Sequence, residues 1–202
     1  MDNIYLVMTT GRTGSDYLCA CLDNVDGIMT FTGKFDYHAL FPKNSNEMDK
    51  NYLLNSFIKK YDHLFNYNNI EDINPEVNKE KFKKIFLEIS PFNKLNKKDF
   101  LVNIYKALHI TLNRNIKNVK ALVHHAHGID NVKKCLKDFP NSKIFITIRD
   151  PRANLKSGIS NWFNFDSKRI HMSHVDMYIR RIREDLKQIS IIIKNIVALI
   201  IQ

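Results

Sequence analysis

The chain is 202 residues long, 44% hydrophobic and 26% charged, which is ordinary globular composition and sets a single domain, 1–202, as the expectation. Three cysteines, Cys19, Cys21 and Cys135, cannot all pair, no basic stretch leads into an apolar run of leader length, and the apolar stretch 189–201 is broken by Lys194 and Asn195. A disulfide framework, a secretory leader and a membrane span are therefore not expected, and the expected compartment is the cytoplasm. The 31 Lys and Arg against 21 Asp and Glu give a net charge of +10, which favours an anionic partner without choosing among a nucleotide, a phosphorylated or sulfated substrate, a nucleic acid and an acidic membrane surface.

Residues 4–8 form an apolar run of buried-strand length, followed by Thr9-Thr10-Gly11-Arg12-Thr13-Gly14-Ser15 and then by Tyr17, Leu18, Cys21, Leu22 and Val25 at helical spacing. The expected order is strand, glycine loop, helix. Glycines let backbone approach a ligand closely, and the first turn of a helix aims free N–H groups and partial positive charge at whatever sits before it. Arg12 adds a planar fork of donors and Thr13 and Ser15 add hydroxyls, so the loop suits phosphate or sulfate. The plainer alternative is a strand-to-helix turn with Ser15 as an ordinary N-cap. A Walker A loop does not fit, because two residues rather than four separate Gly11 from Gly14 and Asp16, not Lys, is near the helix start. A dinucleotide fingerprint lacks its third glycine.

Residues 27–33 read as a second strand leading into a loop with Lys34, Asp36, Tyr37 and His38, polar groups just past a strand end, where open α/β sheets place ligands. Met48, Leu53, Leu54, Phe57, Ile58, Tyr61, Leu64 and Phe65 predict an amphipathic helix over 47–65. Phe82, Ile85, Phe86 and Ile89 predict another that stops before Pro91, and Phe100, Leu101, Ile104, Tyr105 and Leu108 a third over 97–113. These helices form an insertion between strands two and three.

The third apolar run, 119–123, delivers His124, His125 and His127 to its carboxyl end. Adjacent strand residues leave on opposite faces, and no Cys or carboxylate at ligand spacing follows, so a metal site is not expected. An imidazole at a strand terminus near an anion loop is a candidate general base. After a helix over 130–139, the run 143–148 predicts a fourth strand ending in Arg149-Asp150-Pro151-Arg152, with Pro151 in the first turn of the next helix and Ser157 about two turns along it. Arg149 then stands as a second anion group at the same sheet edge. Ser173-His174-Val175-Asp176 resembles a capping box that opens a long last helix.

Two of these motifs resemble one family. Gly11-Arg12-Thr13-Gly14-Ser15-Asp16-Tyr17-Leu18 resembles the loop with which sulfotransferases hold the 5′-phosphosulfate of 3′-phosphoadenosine 5′-phosphosulfate (PAPS). Arg149-Asp150-Pro151 with Ser157 resembles their 3′-phosphate signature, an Arg, any residue, Pro, five residues, Ser. The resemblance covers about 4–33 and 119–162 and is nearest to bacterial-type carbohydrate sulfotransferases. It implies a three-layer α/β sandwich, P-loop-NTPase-like, with a central parallel sheet of about four strands. It implies donor contacts from Gly11, Arg12, Thr13, Gly14, Ser15, Asp16, Arg149 and Ser157, with Arg12 also stabilising charge on the leaving oxygen.

For the base the resemblance offers alternatives. The cytosolic branch carries its catalytic His in a Lys-Thr-His-Leu-Pro-like stretch, which best matches His125 here, although the Thr and Pro are absent. Carbohydrate members use an acidic residue after the second strand, which points to Asp36 with His38 beside it. The implied reaction is sulfuryl transfer from PAPS to a hydroxyl of a small-molecule or oligosaccharide acceptor, without metal and without nucleic acid. The family's later strand and G-x-x-G-x-x-K loop have no counterpart before Gln202, so the domain reads as shortened at its C-terminal end, with a homodimer as one way to replace the missing contacts. The alternatives are a nucleotide or small-molecule kinase with a degenerate phosphate loop, and a non-catalytic nucleotide-binding remnant.

Overall fold

The computed structural model describes residues 3–9, 13–23, 25–31, 35–65, 77–166 and 172–200. In chain order the elements are β1 (Ile4–Thr9), α1 (Ser15–Leu22), β2 (Ile28–Met29), β3 (Glu47–Asp49), α2 (Lys50–Lys60), α3 (Lys79–Ile89), β4 (Lys94–Asn96), α4 (Lys97–Thr111), β5 (Ala121–His127), α5 (Ile129–Asp138), β6 (Lys143–Thr147), α6 (Pro151–Asp166) and α7 (Met172–Ile200). Short 3-10 turns stand at Tyr37–Leu40 and Asp62–Leu64. No helix among the described residues is long and apolar enough to cross a membrane.

Four strands make one parallel sheet in the order β2-β5-β1-β6. Successive strand residues point to opposite faces, and the sequence of β1 is apolar on both, as a sheet covered on both sides requires. Val7 of β1 and Val123 of β5 pack with Cys19 of α1. Their neighbours Leu6, Met8, Leu122 and Ala126 pack instead with Val132 and Cys135 of α5. Hence α1 and α5 cover opposite faces, and the molecule has helix, sheet and helix layers.

The expected insertion between the second and third strands of this sheet is present and lies on the α5 side. Its helices bring Phe57, Phe82, Phe86 and Phe100, all fully buried, into a core continuous with that of the sheet. It also holds a two-stranded antiparallel ladder, β3 with β4, which no local pattern announced. The expected helix over 47–65 is shorter for a related reason. Asp49 stands in extended backbone (φ −54, ψ 132) and its carboxylate accepts from the N–H groups of Asn51 and Tyr52, both at 2.9 Å, so it caps α2 rather than entering it.

The third strand of the sheet is longer than its apolar run. Ladder pairing with β1 carries β5 through His127, so His124 and His125 lie within the strand rather than after it, each 2% exposed. At the other end, α6 begins at Pro151 as expected. Gly158 of α6 accommodates α7, since a Cβ there would stand 2.6 Å from the Tyr178 ring, whose hydroxyl donates to Asn154 Oδ1 at 2.9 Å in a buried bond.

Candidate functional site

The chain leaving β1 runs through α1 to β2 on one side of β5, while the chain leaving β5 runs through α5 to β6 on the far side of β1. Because β1 and β5 are neighbours, their carboxyl ends diverge and leave a crevice between them. In open α/β sheets such a switch point is where ligands bind.

The N-terminus of α1 lies at this edge. Gly14 precedes the helix in the left-handed region (φ 87, ψ 15) and, as the N-cap residue, supplies no side-chain hydrogen bond to the first turn. Among the described residues the leading N–H groups thus receive no capping side chain, which is the local requirement for an anion cradle. Ser15, 4% exposed, is the first helical residue and not the cap, so the alternative of an ordinary serine N-cap does not describe this turn. The Thr13 hydroxyl hydrogen-bonds the Thr147 hydroxyl at 2.7 Å and also that of Thr9, fastening the loop to the carboxyl ends of β6 and β1. Thr10, Gly11 and Arg12, and with them part of the expected donor site, lie outside the described residues.

A bulge shapes the other wall. Val7 pairs with His125 and Met8 with His127, so Ala126 is an extra residue in β5, and His127 takes a positive φ of 65. Bulges and left-handed non-glycine residues re-aim side chains and store strain. The His125 side chain is 1% exposed on the α1 face, with Nδ1 3.3 Å from Asp16 Oδ1 in the first turn of α1 and its ring 5.4 Å from that of His127. Neither ring nitrogen of His125 has a hydrogen-bond partner among the described residues.

His124 leaves on the opposite face. Its Nδ1 is 3.0 Å from the Tyr105 hydroxyl and its ring packs against Phe35 and Tyr37. Burial, assisted by the neighbouring histidines His125 and His38, pushes its pKa down to about 3, so it is a neutral core group.

Asp36 and His38 also lie on the α5 side. Asp36 Oδ1 accepts from the His38 backbone N–H at 3.0 Å and so caps the Tyr37–Leu40 turn. His38 Nε2 is 2.8 Å from Asp138 Oδ2, which accepts from the Tyr37 hydroxyl at 2.8 Å as well. Burial alone would lower the His38 pKa, but the bonds to Asp138 and Asp36 outweigh it and the pKa is raised. The hydrogen bond to His38 in turn holds Asp36 below the usual carboxylate range. Burial opposes the same shift at Asp138, and the bonds from His38 and Tyr37 overcome it. The arrangement clasps the turn to α5. It does not bring Asp36 or His38 to the face that carries His125.

Arg149 is exposed two residues beyond β6, the strand next to β1, and Ser157 is half-buried in the second turn of α6. Both therefore follow the strand that borders the loop. Between them Asp150 is occupied by Arg152, with Nη2 to Oδ2 at 2.7 Å, and this pairing drives the Asp150 carboxyl far down.

Thr9 and Thr147 carry only a weak signal in the sequence, a hydroxyl at the last position of two strands, and Asp138, which lies 100 residues from His38, carries no local signal. No family model, curated protein or solved structure matches this chain. Fold and site together define a class by geometry: a parallel α/β sheet covered on both faces, with an uncapped helix N-terminus and a buried histidine at its switch point.

Proposed function

We propose that the chain is a sulfotransferase, moving a sulfuryl group from PAPS to an acceptor hydroxyl, with a carbohydrate as the acceptor class that the loop wording favours. The observation that carries this reading is His125, a buried imidazole without hydrogen-bond partner among the described residues, 3.3 Å from the first turn of the helix that faces the loop. A buried polar group left unpaired costs about 1–3 kcal/mol, which makes sense where the group is kept for chemistry.

The residues present suit the donor. At Gly14 no atom of the described residues would lie within 4 Å of an added Cβ, so backbone there is open to close approach, and the turn offers N–H donors for the 5′-phosphosulfate. Thr13, Ser15 and Asp16 belong to the same loop and turn, with Arg12 and Gly11 completing the motif. Arg149 is the candidate for the 3′-phosphate, with Ser157 beside it in the signature. When bound, the donor supplies an activated sulfuryl group whose leaving group is a phosphate.

The chain's own residues then have two tasks, orienting the acceptor and stabilising charge on the leaving oxygen. Loop amides and Arg12 serve the second. For the first, the His125 imidazole, with Asp16 Oδ1 3.3 Å from its Nδ1, is assigned to take the proton of the acceptor hydroxyl, a role worth about 10²–10⁴ in rate. Asp36 and His38, which the resemblance offers as alternative base and neighbour, are assigned to the clasp on α5 instead. Acceptor-dependent release of 3′-phosphoadenosine 5′-phosphate (PAP) from PAPS across a carbohydrate panel tests the reading. Release that disappears in His125→Ala is the expected result. Turnover of ATP with Mg²⁺, with PAPS left intact, would overturn it.

A further inference from the structure

On the sheet face opposite α1, a cavity of about 420 Å³ lies between the Tyr37–Leu40 turn and its following loop, the start of α4 and the outer half of α5. Four lysines from these separate segments line it: Lys43, Lys97, Lys134 and Lys137. Among the described residues, the carboxylates in its lining are Asp36 and Asp138. Both are already engaged. Asp138 Oδ2 accepts from Tyr37 and His38, while Asp36 Oδ1 accepts from the His38 N–H and Oδ2 stands 3.8 Å from Lys134.

The remaining three lysines make no ion pair within 4 Å among the described residues, although Lys97 stands near enough to Asp138 to help lower its carboxyl pKa. Lys97 leans over the Phe41 ring, 5.7 Å from its centre, and Lys43 and Lys137 are exposed. The lysines of α3 behave differently. Lys79, Lys83 and Lys84 face Asp62, Glu80 and Glu88, as expected of a solvated helix face. Four lysines lining one concave, partly apolar wall against two engaged carboxylates leave an excess of positive charge, which focuses positive potential into the cavity. Among the described residues this arrangement lacks matching negative charge.

We infer that this cavity is a second anion-binding site, taking a small ligand with two or more phosphate, sulfate or carboxylate groups. Its volume falls within the range of small-molecule pockets, roughly 300–1,000 Å³. More than one negative group is required because the lysines come from the turn loop, α4 and α5, so that a single anion would leave most of them unmatched. The site is independent of the sulfotransferase reading, since it shares no residue with the Gly14 loop, Arg149 or His125 and lies across the sheet from α1.

The test is an NMR titration of the full chain with inorganic pyrophosphate, and separately with citrate, read at the His38 and His125 imidazoles. His38 borders the cavity, and His125 reports the α1 loop, where pyrophosphate also has donors. The comparison variant is Lys43→Ala/Lys137→Ala, two exposed side chains whose removal spares the core. The expected result is a saturable shift at His38 in the parent chain and a loss of at least about tenfold in affinity at His38 in the variant. The response at His125 and the affinity for PAP stay unchanged in that variant. Tighter pyrophosphate than citrate assigns phosphate-type ligands, and the reverse assigns polycarboxylates. A His38 signal indifferent to both anions, or equal affinities in the parent and the double variant, would overturn the inference, and neither result touches the donor site.

Discussion

If His125 is held buried for chemistry, the fold should gain stability when its polarity is removed. His125→Leu places an apolar side chain of comparable size beside Val7 and Val123, on the α1 face of β5. The parent imidazole is 1% exposed and unpartnered among the described residues, a penalty of about 1–3 kcal/mol. Against this stands the lost contact with Asp16 at 3.3 Å, whose side chain is 52% exposed, so that solvent screens the pair to about 1 kcal/mol or less. The net expectation is a stabilisation of about 1–2 kcal/mol. In a chain of this size each kcal/mol is worth about 2–4 °C, so Tm should rise by about 2–8 °C. Differential scanning calorimetry and a PAPS turnover assay at the same pH read the two sides, with Tm rising and turnover lost. A Tm that falls by several degrees would mean that the fold satisfies the imidazole and has no need of it for chemistry. A variant that keeps its rate would remove His125 as the base.

Gly14→Ala places an L side chain at φ 87 with no steric neighbour among the described residues, so its expected cost is backbone strain, about 1–2 kcal/mol. PAP binding should weaken as the first turn of α1 is re-aimed, and unchanged affinity in calorimetry would detach that turn from the ligand. Asp138→Asn tests the clasp on α5 through pH. The raised His38 pKa contributes stability that is complete below the ordinary imidazole value of about 6.5 and fades as pH rises through the folded value, whereas the lowered Asp138 pKa contributes stability present above the ordinary carboxylate value of about 3.9 and lost as pH falls through its own. Urea midpoints should therefore separate parent and variant most between about pH 4.5 and 6.5, and a gap that widens at pH 8.5 would contradict the pairing. Arg149→Ala should weaken PAP by about tenfold or more while sparing adenosine 5′-phosphosulfate, which lacks the 3′-phosphate; equal losses would end the assignment.

What local pattern encodes, the sequence displays. The periodicities of α3, α4 and α5, the apolar runs of β1 and β6, and Pro151 at the start of α6 all stand where spacing puts them. The strand and the helix at the head of the chain were legible for the same reason, as was the separation of His124 from His125, which needs only the pleat of a strand. Where the structure departs from local pattern, the causes are non-local. β5 runs on to His127 because β1 offers it a ladder, although imidazoles end the apolar run. Asp49 stops the helix over 47–65 from beginning early because its carboxylate finds two backbone donors, and β3 exists only because β4 returns beside it. Asp36 and His38 follow a strand end just as His125 approaches one, yet the sheet order sends them to the far face, where Asp138 receives them. Nothing within a few residues of His38 announces that partner.

The most direct measurement is isothermal calorimetry of the parent chain with PAP, ADP and ATP, each with and without Mg²⁺. The switch-point site predicts one PAP per chain, bound equally well in the absence of Mg²⁺ and at least about tenfold more tightly than ADP, because the 3′-phosphate adds charge-assisted hydrogen bonds that ADP cannot make. Tighter binding of ATP with Mg²⁺ than of PAP, or no heat from PAP at all, would contradict the account.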